Sequence, residues 1–165
     1  MAEHQQLYLL RHADAGNPDT WQGDDAARPL SAKGRRQAAR LGDLLAGVGF
    51  EPDAFISSPK IRAAETAELA AAPLARTVTL DDRLASGVDL SIVDAILRDA
   101  GSARRVVLVG HDPDFSDVLS ALVGAEMAMK KGALARIDLV DGVRPGGGSL
   151  RWLLPPDLVA GTRAG

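Results

Sequence analysis

Two uninterrupted apolar runs, Leu7-Tyr8-Leu9-Leu10 and Val106-Val107-Leu108-Val109, stand about a hundred residues apart. Neither alternates with polar residues, so each reads as a strand buried on both faces of a parallel sheet. Between and after them the pattern switches from short apolar runs to helical spacing and back, the signature of a layered α/β domain. Residues 13 to 30 are rich in Asp, Gly, Asn and Pro and read as a long loop. Ser31 is a good N-cap for a helix whose apolar face is Ala38, Leu41, Leu45 and Val48, ended by Gly47 and Gly49. Ala54-Phe55-Ile56 predicts a short strand. Pro59 then opens a second helix through Ile61, Ala64 and Leu69, stopped by Pro73. Thr77 to Leu80 is a weaker strand, and Ser91 caps a helix through Ile92, Ala95 and Ile96. After the Val106 run, Asp112 and Pro113 read as N-cap and first turn of a helix ending near Gly124. Leu134 to Val140 and Ser149 to Leu154 pair as strands around Gly146-Gly147-Gly148. The expected architecture is a single-domain three-layer α/β/α sandwich with a mostly parallel central sheet.

The chain has 165 residues, 46% of them hydrophobic, enough for one domain over 1–165 with a real core. That core is expected over about 5–155, with a C-terminal tail after about 156. No repeat, charge block or linker divides it. Net charge is −3 and the isoelectric point about 5.6, so bulk charge gives no reason to expect nucleic-acid binding. Cysteine is absent, which removes disulfides, thiolate metal sites and a cysteine nucleophile together. No basic segment followed by an apolar stretch opens the chain, and no apolar run approaches the roughly 18 to 20 residues that span a bilayer. A cytoplasmic protein without a membrane partner is expected.

Each of the two apolar runs ends in a histidine. Arg11-His12-Ala13 follows the first and Gly110-His111-Asp112-Pro113 the second. Ligands in open α/β sheets bind beyond the carboxyl ends of the strands. If the two strands are neighbours, two of only three histidines meet there with Arg11 beside them, a site for an anion. Arg62, one turn inside the helix after Pro59, can reach back over the strand ends. Two guanidinium forks would each match a pair of phosphate oxygens. A neutral imidazole can attack phosphorus and split one displacement into two. A second, protonated one can donate to a phosphoryl oxygen. Glycine patterns for a phosphate loop or a dinucleotide site are missing, and two histidines with scattered carboxylates have no zinc-ligand spacing. No cofactor or metal is expected.

Four segments in order resemble the histidine phosphatase superfamily, whose fold is phosphoglycerate mutase-like. Arg11-His12-Ala13 looks like its Arg-His-Gly signature, in which the histidine accepts phosphate. Leu30-Ser31-Ala32-Lys33-Gly34-Arg35-Arg36-Gln37-Ala38 is similar to Leu-Thr/Ser-x-x-Gly-x-x-Gln-Ala. Ser57-Ser58-Pro59-Lys60-Ile61-Arg62-Ala63-Ala64-Glu65-Thr66 resembles Ser-Ser-Pro-x-x-Arg-Ala-x-x-Thr, whose arginine binds phosphate. Gly110-His111-Asp112-Pro113 matches the late Gly-His segment. The short chain and the lead-in Asp25-x-x-Arg28-Pro29-Leu30-Ser31 look most like the small phosphohistidine phosphatase (SixA-like) group, which has little material for a cap.

The resemblance implies catalysis by His12, Arg11, Arg62 and His111, with phosphate bound by Arg11, Arg62, His111 and Arg28. It implies hydrolysis through a phosphohistidine on His12. The substrate would be a phosphorylated protein, such as a histidine phosphotransfer domain, or a small phosphate ester. Ala13 departs from the family's glycine. The general acid is a second departure: Asp14, Asp82, Asp89 and Asp112 are candidates, with Asp112 and Asp14 foremost, and spacing selects none. An alkoxide leaving group needs a positioned acid, worth roughly 10² to 10⁴-fold. A phosphohistidine releases neutral imidazole and depends on one far less. The alternatives are a small-molecule phosphomonoesterase of broad specificity and a non-catalytic phosphate-binding or scaffold protein. Arg28 either touches phosphate or pins the loop with Asp25, and Asn17 either donates to phosphate or shapes a turn. Trp21 lines the pocket rim or covers the sheet, and His4 belongs to a loose N-terminus. Lys130 and Lys131 either mark a docking surface or form a solvated pair.

Overall fold

The structure is a computed structural model that describes residues 4–160. The two apolar runs are neighbouring parallel strands at the centre of one six-stranded sheet: β1 (Gln5–Arg11) pairs with β4 (Arg105–Gly110), Leu7 opposite Val106 and Arg11 opposite Gly110. With β2 (Ala54–Ser57), β3 (Val78–Leu80), β5 (Leu134–Leu139) and β6 (Gly148–Leu154), the order is β3-β2-β4-β1-β5-β6. The β3-β2, β2-β4 and β4-β1 ladders are parallel, and β5 is antiparallel to both its neighbours. The sheet is mostly parallel, as expected.

Alternate residues of the central strands feed two separate cores, because successive strand side chains point to opposite faces. Leu7, Leu9, Val106 and Leu108 pack with Val93, Ile96, Phe115 and Leu119 of α3 (Leu90–Asp99) and α4 (Asp114–Val123). Tyr8, Leu10, Val107 and Val109 pack on the other side with Leu41 and Leu45 of α1 (Ala32–Gly47) and the alanines of α2 (Ile61–Ala71). The helix after β1 and the helix after β4 therefore leave to opposite faces. That opens a crevice between the two strand ends, where a ligand fits.

Several helix details differ from the pattern in the sequence. Val48 lies beyond the end of α1 and is 71% exposed, so it is no part of the apolar face. Helix α2 begins at Ile61 rather than Pro59, and Arg62 is its second residue. Its buried face is Arg62, Ala63, Thr66, Ala67, Ala70 and Ala71, while Ile61 is 41% exposed. Close packing against α1 selects the small residues: a Cβ added at Gly42 would lie 2.8 Å from the Ala70 carbonyl oxygen. Helix α3 is capped by Asp89, whose carboxylate accepts from Ile92 N–H, and not by Ser91. Helix α4 starts at Asp114, two residues after Asp112. The segment after Pro155, expected as a tail, opens with a short helix, α5 (Pro156–Ala160), whose Val159 is buried in the α1–α2 core. No helix among the described residues is long and apolar enough to cross a membrane.

Candidate active site

The register of β1 and β4 brings the two histidines together. His12 N–H donates to the Gly110 carbonyl at 3.0 Å, and the two imidazoles lie 5.3 Å apart between centroids, tilted by 51°. Both are buried. His12 Nδ1 sits 2.8 Å from the Ala13 carbonyl oxygen, which can only accept, so Nδ1 carries the proton. Nε2 keeps its lone pair and is the free basic nitrogen of the ring. Burial, reinforced by Arg62, Arg11 and Lys131, pushes the His12 pKa down to about 4; only the Ala13 hydrogen bond opposes. The ring is neutral at pH 7.

His111 is neutral as well, so the condition on which a second imidazole would donate as a cation is not met here. Burial, then the neighbouring His12, Arg62 and Lys60, push its pKa down to about 3, against a smaller upward pull from Asp25. Its Nε2 lies 2.8 Å from Ser58 Oγ, which already accepts from Lys60 N–H at 3.2 Å. Among the described residues the Ser58 hydroxyl proton has no acceptor other than His111 Nε2, which assigns the ring proton to Nδ1. A neutral His111 still offers an N–H donor.

The arginines are held at one end and open at the side. Arg62 donates through Nη1 to the Asp25 carbonyl at 2.8 Å and through Nη2 to the Asp25 carboxylate at 2.9 Å. Arg11 donates through Nη1 to the Met129 carbonyl at 2.7 Å and lies 3.3 Å from Asp112. Arg11 Nε, Arg62 Nε and His111 Nδ1 are buried without a hydrogen-bond partner. Among the described residues no other buried side-chain nitrogen or oxygen is unpaired. A buried unpaired donor costs about 1–3 kcal/mol. All three belong to residues at or just after the carboxyl ends of β1, β2 and β4, and together they supply the donors an oxyanion needs.

The loop after His12 is clamped from three sides. Ala13 N–H donates to Thr66 Oγ1 of α2 at 3.1 Å, and Asp14 N–H to Gln37 Oε1 of α1 at 3.0 Å. Ser31 caps α1 and also donates to the Asp14 carboxylate at 2.5 Å. A Cβ at Gly34 would lie 1.9 Å from the Asp14 carbonyl oxygen, so only glycine lets α1 approach this loop. Ala13 is fully buried in a small cluster with Ala15, Leu30 and Ala38, and its backbone does not adopt positive φ, so the missing glycine costs no strain.

The other candidates separate by position. Arg28 is buried but donates to the Ala15 carbonyl and the Asp25 carboxylate, so it pins the loop. Asp14 is held below the usual carboxylate range, mainly by the Ser31 hydroxyl. Asp112 accepts from Ser116 N–H and Oγ and faces Arg11, tying α4 to the site. Asp89 is spent as a helix cap, and Asp82 is exposed in the turn after β3. Asn17 accepts from Asp19 N–H and shapes a turn. Trp21 donates to the Asp24 carbonyl and is partly exposed, and His4 is exposed at the opposite end of β1. Lys130 reaches Asp157 of α5, whereas Lys131 faces Asp14. Ser58, Thr66 and the carboxylate of Asp25 complete the site. The first two stood inside the Ser57–Thr66 segment and Asp25 in the lead-in to α1, but their partners lie 37 to 53 residues away. No group of three or more His, Asp or Glu side chains among the described residues is arranged to hold a metal ion.

The pattern of the histidine phosphatase superfamily (branch 1) matches residues 7–86. An uncharacterized protein of Picosynechococcus sp. (strain ATCC 27264 / PCC 7002 / PR-6) is 31% identical over 136 residues, 78% of this chain and 82% of that protein. The fold is similar to a protein histidine phosphatase SixA complexed with tungstate (TM-score 0.80, 22% identity, 93% of this chain and 99% of that one). It is similar too to a provisionally assigned phosphohistidine phosphatase SixA from Agrobacterium tumefaciens (TM-score 0.78, 23% identity, 94% and 100%).

Proposed function

The chain belongs to the histidine phosphatase superfamily and is a phosphatase, and from that premise we propose that it removes phosphate from a phosphohistidine on a protein. The observation that supports the reading is that the three buried donors without a partner, Arg11 Nε, Arg62 Nε and His111 Nδ1, all belong to side chains that neighbour or act electrostatically on His12. A structural relative complexed with tungstate, itself an oxyanion, supports the same use of the fold.

His12 Nε2 attacks phosphorus, and the bond from phosphorus to the leaving nitrogen breaks. Arg11, Arg62 and His111 donate to the phosphoryl oxygens as charge moves onto them, so no metal is needed to meet that charge. The Nδ1–H bond to the Ala13 carbonyl holds the ring and stabilises the charge it gains. Water then attacks the phosphoryl group on His12, releasing inorganic phosphate and the neutral imidazole.

The substrate class follows from the carboxylates. Asp14 is engaged by Ser31, Asp112 by Ser116 and Arg11, and Asp25 by Arg28 and Arg62. Each is engaged by partners of the scaffold, and none is left free toward the leaving group. An alkoxide would leave unassisted, forfeiting about 10² to 10⁴-fold. A protonated phosphohistidine leaves as neutral imidazole, whose conjugate acid has an ordinary pKa near 6.5.

Single-turnover assays on a phosphohistidine-bearing protein and on an aryl phosphate, with wild type and His12→Ala, test this. Loss of phosphate from the protein that depends on His12 and outpaces the aryl ester is the expected result. His12-dependent cleavage of the aryl ester alone would refute the protein substrate and keep the mechanism for small esters. Without His12-dependent turnover of either, the proposed chemistry fails.

A further inference from the structure

The sheet order places more than the histidines along the pocket edge. Passing from β2 through β4 and β1 to β5, the residues met are Lys60, His111, His12 and Lys131. Lys60 immediately precedes α2, and its charge acts on His111; Lys131 precedes β5, and its charge acts on His12. One cation thus stands on each side of the phosphoryl crevice. Three strand spacings separate their backbones, roughly 14 Å.

Both lysines stand on backbone held by hydrogen bonds, and neither ammonium is held by a close partner. Lys60 N–H donates to Ser58 Oγ, while its ammonium makes no hydrogen bond or ion pair among the described residues. Gly132 N–H donates to the carbonyls of Arg11 and His12, anchoring the wall that carries Lys131. The Lys131 ammonium makes only a loose ion pair, 3.8 Å from Asp14 Oδ1, while the Ser31 hydroxyl holds the other oxygen, Oδ2, at 2.5 Å. Against the carboxylates of Asp14, Asp25 and Asp112 stand the cations of Arg11, Arg28, Arg62, Lys60 and Lys131. The rim is therefore electropositive on a chain whose net charge is −3.

We propose that Lys60 and Lys131 are specificity-determining residues that select a phosphohistidine set in an acidic protein surface. The proposal rests on the phosphohistidine reading above. The spacing fits a helix on the partner. Carboxylates one turn before and one turn after a phosphohistidine each lie about 5–6 Å from it, on either side. A small ester has no such flanks and cannot use the pair. Lys130, which reaches Asp157 instead, takes no part.

The test compares two phosphohistidine peptides, one with Glu at the third and fourth positions on each side and one with Gln there, together with p-nitrophenyl phosphate. The readout is the ratio of kcat/KM for the acidic over the neutral peptide. Any effect of a lysine on the phosphoryl group itself cancels in that ratio. Wild type should prefer the acidic peptide, and the preference should shrink at high salt. Lys60→Glu and Lys131→Glu should each lower the ratio about 3-fold, and the double variant about 10-fold, the scale of exposed ion pairs. Lys130→Glu should leave the ratio unchanged, and far-ultraviolet circular dichroism checks that each variant folds. Equal cleavage of both peptides by wild type, or a ratio indifferent to both reversals, overturns the lysine proposal and leaves the phosphohistidine reading standing. Two inert peptides beside a cleaved aryl ester overturn both.

Discussion

Two buried neutral histidines make stability depend on pH in a window that no carboxylate shares. The imidazoles titrate near 6.5 when unfolded and near 4 (His12) and 3 (His111) when folded. Between those limits the unfolded chain binds protons that the native state refuses, so stability rises with pH and is lost on acidification. From pH 7.5 to 5.5 each unfolded histidine goes from nearly neutral to roughly nine-tenths protonated. Each folded one stays neutral. The linkage costs about 1–1.4 kcal/mol per histidine, or about 2–3 kcal/mol for the pair, after allowance for residual solvent screening. Asp14, Asp25, Asp53 and Asp81 have lowered values and lose their contribution only below the ordinary carboxylate pKa, outside this window. Urea unfolding at pH 7.5, 6.5 and 5.5, on wild type and the His12→Gln, His111→Gln double variant, isolates the effect. The double variant should lose most of the pH dependence. Identical slopes for both proteins would refute the burial argument.

Other substitutions probe the supports of the site. Asp25→Ala removes the carboxylate that Arg62 and Arg28 share, so kcat/KM should fall about 10-fold, the worth of one charge-assisted hydrogen bond. Its side chain is 53% exposed, so the melting temperature should move by only a few degrees. Gly34→Ala drives a Cβ into the Asp14 carbonyl and should cost about 3 kcal/mol in denaturant unfolding. Gly47→Ala, with nothing within 4 Å, should instead stabilise by about 0.5–1 kcal/mol. Thr66→Val keeps the shape but leaves Ala13 N–H unpaired, so stability should drop by about 1–3 kcal/mol and His12-dependent turnover with it.

The centre of the fold was legible because burial on both faces leaves an unbroken apolar run, and β1 and β4 are the two such runs that end in histidine. Helix α1 was legible because one face meets the core and the other water. Helix α2 was legible as an element between Pro59 and Pro73, but its hidden face was not, since that face joins alanines to Arg62 and Thr66, and size ranked exposed Ile61 above them. Caps slipped by one or two residues where several Asp and Ser stand close, as with Asp89 and Ser91, because only three-dimensional geometry decides which oxygen meets the free N–H groups.

At the site, residue types were legible and their states were not. A sequence supplies two histidines but says nothing of the solvent around them, and desolvation is the first cause of both lowered pKa values. The consequence is chemical. A protonated His111 would spend a charge on His12 next door, holding the nucleophile neutral only by repulsion. The neutral pair reaches the same end by burial, with the Ala13 carbonyl and the Ser58 hydroxyl fixing which nitrogen of each ring is bare. On the proposed mechanism, only the arginines then bring positive charge against the phosphoryl oxygens. Asp25 and Asp112 orient those guanidinium groups at the cost of their own use as acids. Positioning the arginines and supplying a proton compete for the same carboxylates, and here positioning takes them. That competition is the ground for the proposal that the leaving group is one that needs no acid.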